Sequence, residues 1–521
     1  MANKNLWNYT VAEKILKQFK DKEEIVFQSG FGPSGYPHIG TFGEIVRPRY
    51  VIQALNDLSD KKTKYIVFTD DMDGLRKVPL GMPEMLKEHL GKPVSRIPDP
   101  WGCCESFSRH MINQILAFLE EQELTYDIFK YSHKTYQSGE FNPGLKLLLE
   151  NEEKIKSIIL PGMREESRKG WSPFMPVCEK CGRNLTTTAT AFFPGSHTLR
   201  YSCDRDSEQF SSCGHKSEVS VLDGKVKMGW KIDWALRWFT FGVNFEMYGK
   251  DLMESAALSG KILRTVLGGR PPLGYFYEMF LDESGAKISK SVGKGLTVQS
   301  WVEKAPKKTL NLFMFKAPQK AKKLSLSVIP RYVDEYIEIV SRYYAKPAEE
   351  RIENGTYREI FEFLHDTIFE EPFYNYKVSF NLLINLIAAV GTSDVELIKK
   401  YVHRYEEEKS GSLPFLELLI EKAGAYVEDV MSKERVPYQP SDLECTCIEE
   451  FIAFLREGGH SEEDIQSRIF RISRENDIPP GSFFSTIYKL ISGQASGPRL
   501  GSFIHLLGED ETAGRLEEML G

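Results

Sequence analysis

The stretch Gly32-Pro33-Ser34-Gly35-Tyr36-Pro37-His38-Ile39-Gly40-Thr41 restricts the fold of this chain more than any other. The apolar run Ile25-Val26-Phe27 before it predicts a buried strand, and the amphipathic pattern from Phe42 to Leu58 predicts a helix after it. A glycine-rich turn between a strand end and a helix start exposes backbone N–H groups and points the positive end of the helix at whatever binds there. Gly32, Gly35 and Gly40 allow the close approach that a phosphate needs, and His38 adds a donor at the same point. A second apolar run, Tyr65-Ile66-Val67-Phe68, ends in Asp70-Asp71-Met72-Asp73. Strands alternating with helices predict an α/β fold with a doubly wound parallel sheet. Ligands of such sheets bind beyond the carboxyl ends of the strands, so the histidine turn and the acidic turn are expected on one edge. Three carboxylates there suit a cationic substrate.

Far downstream, the apolar run from Tyr275 to Leu281 and the turn Asp282-Glu283-Ser284-Gly285 lead into Lys287-Ile288-Ser289-Lys290-Ser291. Two lysines around two small residues read as a loop that carries two ammonium groups to a polyphosphate. The sequence offers no P-loop ending in Lys-Ser or Lys-Thr and no convincing nucleophile-plus-base pair, which argues against P-loop phosphoryl transfer and covalent catalysis. His38, its neighbouring amides, Lys287 and Lys290 suit attack by a ready-made carboxylate on the α-phosphate of ATP. Pyrophosphate leaves, with Mg2+ expected on it. Such a step needs charge stabilisation and in-line positioning more than an acid or base.

The eight cysteines fall into local clusters, which in a long chain without a signal-like leader favours metal ligation over disulfides. Cys178-Glu179-Lys180-Cys181, with Cys203 and Cys213-Gly214-His215, has the spacing of a structural zinc ribbon. Cys213 and His215 compete for the fourth position, Cys213 being preferred. Asp99, Cys103, Cys104 and His110 form a second possible ligand set. From about residue 335 onward, periodic apolar helices replace the strands. The net charge of −7 does not suggest a nucleic-acid binder, yet Lys304 to Arg331 carries eight cations and no carboxylate, and reads as a polyanion-facing surface. No apolar run approaches the roughly 18 residues of a membrane helix, so a cytoplasmic protein is expected. Five segments follow: the first half of a nucleotide-binding domain (1–100), an insertion with the zinc ribbon (101–225), the second half with the lysine loop (226–296), a basic connecting segment (297–335) and a helical region (336–521).

The histidine turn and the lysine loop, here His-Ile-Gly-Thr and Lys-Ile-Ser-Lys-Ser, resemble the HIGH and KMSKS signatures of class I aminoacyl-tRNA synthetases, with Thr41 in place of the second histidine. Within that class the chain resembles the class I lysyl-tRNA synthetases along nearly its whole length. The residues that carry this are Gly32 to Gly40, Asp70 to Lys77, Trp230-Lys231-Ile232-Asp233-Trp234, Gly249-Lys250-Asp251, Tyr277-Glu278, the lysine loop and Gly497-Pro498-Arg499. The resemblance implies a split Rossmann-type fold with a zinc-binding insertion, followed by an all-α anticodon-binding region. It implies formation of lysyl-adenylate and transfer to the 3′-terminal adenosine of tRNA(Lys), with tRNA needed for the first step. His38, Lys287 and Lys290 would be catalytic. Pro33, Ser34, Gly35, His38, Gly40, Thr41, Gly249, Asp251, Ile288 and Lys290 would surround ATP. The family's D-x3-C-H-x5-H pattern, here Asp99-x3-Cys103-Cys104-x5-His110, supports the second metal cluster, with Cys104 in place of a histidine. The family's histidine after Gly-Lys-Asp is Leu252.

A buried substrate ammonium needs carboxylates. Glu44, Asp70, Asp73 and Glu278 are the candidates, with Trp230 and Tyr277 packing on the methylene stem and Ser29 and Gly30 facing the α-amino and carboxylate groups. A monomer acting on lysine, ATP and tRNA(Lys), with no membrane partner, is expected. The alternatives are a class I synthetase of glutamyl type and a non-catalytic tRNA-binding relative.

Overall fold

The computed structural model describes residues 6–168, 170–286, 296–344, 378–405, 413–432 and 438–520. The lysine loop residues Lys287, Ile288 and Lys290, and residues 345–377 of the expected helical region, lie outside them. The chain divides into two compact units. One runs to Val298 and takes in Met314–Leu324; the other holds Gln299–Phe313 and everything from Ser325 onward.

The first unit is built on a five-stranded parallel sheet. Its strands are β1 (Glu24–Phe31), β2 (Lys62–Thr69), β3 (Ile128–Tyr131), β9 (Phe245–Gly249) and β10 (Leu273–Tyr277), in the order β10-β9-β1-β2-β3. Between β3 and β9 lie β4 (Phe174–Pro176), β5 (Thr187–Phe193), β6 (Thr198–Cys203), β7 (Lys216–Ser220) and β8 (Val226–Met228). β4 pairs antiparallel with β8, and β5-β6-β7 form an antiparallel meander. A short parallel pair, β11 (Phe280–Leu281) with β12 (Lys322–Lys323), follows β10. β3 joins the central sheet, so the interruption of the alternating pattern starts after Tyr131, inside the expected 101–225 insertion.

β1 and β2 are central strands covered on both faces, and they read as almost unbroken apolar runs for that reason. Phe27 and Phe245 meet across β1 and β9 at a centroid distance of 5.4 Å, both fully buried. Each such ring contributes about 1.5–3 kcal/mol by leaving water. Asn244 stitches the two halves of the divided sheet. Its Oδ1 accepts from the Val26 N–H at 2.9 Å, its own N–H donates to the Val26 carbonyl at 2.8 Å, and its carbonyl accepts from Leu273 at 2.8 Å. The ribbon in turn supports the acidic turn after β2. Asn184 donates to the Met72 carbonyl at 3.1 Å, and its side chain fills the space that a Cβ on Gly74 would need.

From Ile329 onward the described elements of the second unit are helical, with Phe380–Val390, Val395–Tyr405, Asp442–Glu457 and Glu462–Glu475 among them. Ser441 with Glu444, and Ser461 with Asp464, form capping boxes that fix two of the helix starts. The basic stretch from Lys304 to Arg331 is not a uniform solvated face. Lys304 is buried, and its ammonium lies 2.6 Å from the Asp429 carboxylate. In the first unit Lys322 donates to the Lys316 carbonyl at 2.6 Å, and burial pushes its ammonium down to about 7. An apolar setting makes each of these lysines seek a partner within the chain.

Candidate active site

His38 sits where β1 has ended and the helix Ile39–Leu58 begins. It is the N-cap, and its Nδ1 accepts from the Thr41 N–H at 3.2 Å. That bond leaves the proton of a neutral imidazole on Nε2. The ring folds back so closely that a Cβ on Gly40 would lie 2.6 Å from its Cε1, which is why only glycine fits there. Pro33 and Thr41 are buried, Gly35 is half-buried and Ser34 is exposed. At the end of β9, a Cβ on Gly249 would lie 2.7 Å from Asp251 Oδ1, so the carboxylate curls over the backbone of the turn. Both turns stand at the carboxyl edge of the sheet, on the neighbouring strands β1 and β9.

The acidic turn occupies the same edge one strand further along. Each of its carboxylates meets a group of the chain. Asp70 lies 3.5 Å from Arg237 Nη1, and Asp73 lies 2.8 Å from Lys227 Nζ. Asp71 is buried, accepting from the His133 N–H at 2.8 Å and meeting the His133 imidazole. Glu278, just past β10, is paired with Lys250. The sequence reading gave Asp70, Asp73 and Glu278 to a substrate ammonium; the structure gives each a cation of the protein as well. Ser29 is buried and shares its hydroxyl with Tyr65 at 2.8 Å. Gly30 is tight against Arg237, whose Nη1 would lie 3.0 Å from a Cβ at that position. Glu44 is half-buried on the helix that His38 caps.

Several functional groups escaped the sequence reading. Arg237 and Asp233 face each other at 3.4 Å, both buried, and Asp233 also accepts from the Tyr136 hydroxyl at 2.5 Å. Lys227 lies 3.9 Å from Asp233. Burial works against the charge of Lys227, yet Asp233, Asp73 and Asp70 outweigh it and hold the ammonium above the ordinary lysine range. Three carboxylates, Asp70, Asp73 and Asp233, thus face two cations, Lys227 and Arg237. With all three carboxylates ionised, one negative charge is left over. Burial, which Arg237 only partly offsets, pushes the Asp70 carboxyl up to about 7. Beside this cluster Glu246 is buried and accepts from Trp234 Nε1 at 2.9 Å, from Gln28 Nε2 at 3.0 Å and from Trp238 Nε1. Trp230 stacks on Trp234 at 5.0 Å and stays 37% exposed, so its free face is open at the sheet edge. Tyr277 ends β10 and carries the Arg47 guanidinium over its ring at 4.3 Å.

The ribbon brings four sulfurs together. Cys178 and Cys213 Sγ are 3.5 Å apart, Cys181 and Cys203 Sγ 3.8 Å, and all four lie within 4.8 Å of one another. A tetrahedron with metal–sulfur bonds of about 2.3 Å has edges of about 3.8 Å, so the donor set fits a zinc ion. His215 stays outside the group, with Nε2 4.0 Å from Glu179. The second set also converges. Cys103 Sγ is 3.1 Å from His110 Nδ1, 3.6 Å from Cys104 Sγ and 3.4 Å from Asp99 Oδ2. Trp101 stacks on His110 at 4.2 Å and holds the ring in place.

Comparison with known proteins decides the family. Residues 5–364 match the tRNA synthetases class I (K), and residues 389–520 match an anticodon binding domain. The chain belongs to the class I (K) tRNA synthetases. A lysine–tRNA ligase of Rickettsia africae (strain ESF-5) is 35% identical over 99% of this chain and 98% of its own. One of Rickettsia akari (strain Hartford) is 36% identical over 98% and 95%. A glutamate-tRNA synthetase structure from Elizabethkingia anophelis aligns at a TM-score of 0.36 and 11% identity over 95% of this chain and 99% of that one, a likeness too small to carry an argument. At the carboxyl edge of the sheet the turns after β9 and β1 and the charged cluster past β2 lie side by side. Among the described residues no helix is long and apolar enough to cross a membrane.

Proposed function

We propose that this synthetase is a lysine–tRNA ligase: it joins lysine to the α-phosphate of ATP and passes the lysyl group to the 3′-terminal adenosine of tRNA(Lys). The observation that carries the choice of lysine is the uncompensated negative charge among Asp70, Asp73, Asp233, Lys227 and Arg237. An ε-ammonium is the group that neutralises it. A pocket built to bind that ammonium rejects an uncharged or acidic analogue by roughly 10⁴–10⁵, because its carboxylate would then be left unpaired. Trp230 and Tyr277 flank the methylene stem, and the backbone at Ser29 and Gly30 takes the α-amino and carboxylate end. Glu44 completes the polar wall.

ATP binds across the turns of β1 and β9. Pro33, Ser34, Gly35, Gly40 and Thr41 line one side, Gly249 and Asp251 the other, and Ile288 lies with the lysine loop. His38 donates through Nε2 to the phosphates. Lys287 and Lys290 stabilise charge that develops as pyrophosphate leaves, and Mg2+ brought in with ATP would supply further positive charge there. Lysine's carboxylate attacks the α-phosphorus, the phosphoanhydride breaks, and tRNA is required for this step. Cys178, Cys181, Cys203 and Cys213 would hold zinc with no open position, a structural role that keeps the ribbon against the acidic turn. Asp99, Cys103, Cys104 and His110 would hold a second ion. The same reading has the enzyme at work in the cytoplasm as a monomer. Charging of tRNA(Lys) with labelled lysine and labelled glutamate tests it. Lysyl-tRNA alone is expected; glutamyl-tRNA, or no charged tRNA, would contradict it.

A further inference from the structure

Arg47 is one of the largest side chains in the molecule to be sealed from water, at 1% exposure, and the reaction as described does not use it. Its Nε and Nη1 meet no hydrogen-bond acceptor among the described residues, and Nη2 reaches only the Met314 thioether at 3.4 Å. The guanidinium lies instead over the Tyr277 ring at 4.3 Å, with the Phe280 ring 5.4 Å away. Gly43, one turn earlier on the same helix, makes the room: a Cβ there would lie 2.8 Å from Arg47 Nη1 and 2.9 Å from the Met314 sulfur. The electrostatic surroundings do not repay the burial. Desolvation outweighs Tyr277, Tyr50 and Glu44 and lowers the Arg47 pKa, and Lys322 is a like charge nearby.

A buried cation held this way lowers stability relative to an apolar side chain of similar volume. Packing alone would therefore select methionine or leucine at position 47. What a guanidinium adds is a planar cation whose attraction to an aromatic face fixes the ring. Arg47 stands on the helix whose first turn is capped by His38, and Tyr277 ends the strand that leads towards the lysine loop. It therefore ties the two halves of the divided sheet together just behind the substrate edge.

We propose that Arg47 is a positioning residue for the amino-acid pocket: it holds the Tyr277 ring in the orientation that packs against the substrate's methylene stem. The inference rests on the reading of Tyr277 as a wall of the lysine site. Lysine does not touch Arg47; the effect is transmitted through the ring.

The test uses the full-length enzyme with tRNA present, and compares Arg47→Met and Arg47→Lys with wild type in ATP–pyrophosphate exchange. For Arg47→Met, KM for lysine should rise about tenfold, the loss of one desolvated cation–π contact, while kcat and KM for ATP hold. Its thermal midpoint should stay the same or rise, the opposite of what a structural residue would give. Arg47→Lys should not rescue, because an ammonium lacks the planar fork. In a Tyr277→Leu background, Arg47→Met should add no further change to KM for lysine, since the ring through which it acts is gone. A wild-type KM for lysine in either Arg47 variant would overturn the inference. So would a lowered midpoint with parallel losses in kcat and both KM values. A wild-type enzyme inert towards lysine would overturn the pocket reading and this inference with it. An active wild type beside an indifferent Arg47→Met would overturn this inference alone.

Discussion

The sheet-bearing unit buries Arg47, Asp71, Lys227, Asp233, Arg237 and Glu246, whereas from Ile329 onward the buried polar residues among those described are Asn385, Ser473, Thr486, Ser492 and Thr512, none of them charged. In the helical region three of those hydroxyls donate to carbonyls four residues earlier on their own helix: Ser473 to Ile469, Ser492 to Tyr488 and Thr512 to Gly508. Such bonds are local and serve packing. At the sheet edge the partners come from distant elements, as Asp70 with Arg237 and Asp73 with Lys227. Taking ions out of water costs several kcal/mol per ion unless partners are well placed. The sheet edge carries that cost, whereas the buried side chains of the described helices from Ile329 onward avoid it.

Losing the ribbon should have the largest effect on stability. Cys178→Ser should remove one equivalent of zinc, measured by elemental analysis, and destabilise the sheet-bearing unit by more than about 4 kcal/mol, as loss of a structural metal does. Unaltered zinc content would remove the metal from the account. Next comes the charge cluster itself. Arg237→Met leaves Asp70 and the buried Asp233 without their shared cation and should cost about 3–5 kcal/mol in denaturant unfolding. By contrast, Arg468→Ala, which breaks the partly exposed 2.8 Å pair with Glu450 in the helical region, should cost less than about 1 kcal/mol. Equal costs would erase the contrast between the two regions. Lys290→Ala should cut adenylate formation by about 10²–10³ without moving the thermal midpoint.

The smallest effect is one of pH. The Asp70 carboxyl is pushed up to about 7 by burial, so the empty pocket holds its proton below that pH. Only the carboxylate attracts an ammonium. KM for lysine should therefore fall as pH rises, by about tenfold between pH 6 and pH 8 for a single group titrating near 7, and Asp70→Asn should flatten the profile. A profile that is flat in the wild type would take Asp70 out of the ammonium site.

How much of this was legible in the sequence depended on how local each signal was. β1, β2 and the helix after His38 could be read because buried parallel strands are nearly continuous apolar runs and the turn before that helix is rich in glycine. The ribbon ligands could be read because a C-x2-C turn carries half the site by itself. Asp233 and Arg237 were visible four residues apart, as an acid and a base among tryptophans, but their partners Tyr136, Asp70 and Lys227 were not. Glu246 looked like one residue of a strand; its role comes from Gln28, Trp234 and Trp238, contributed by two other elements. That Asp73 also meets Lys227, and Glu278 Lys250, was not visible in the sequence, because each partner lies far along the chain. Lys304 belonged to a basic run on paper and to Asp429 in space.

The central claim is that this edge activates lysine and does so in response to tRNA. ATP–pyrophosphate exchange, run with lysine and with glutamate, each in the presence and absence of tRNA(Lys), tests it most directly. Exchange with lysine alone among the two, and only when tRNA(Lys) is added, is the result the charge surplus and the family predict. Exchange driven by glutamate, or none with lysine under any condition, would contradict it.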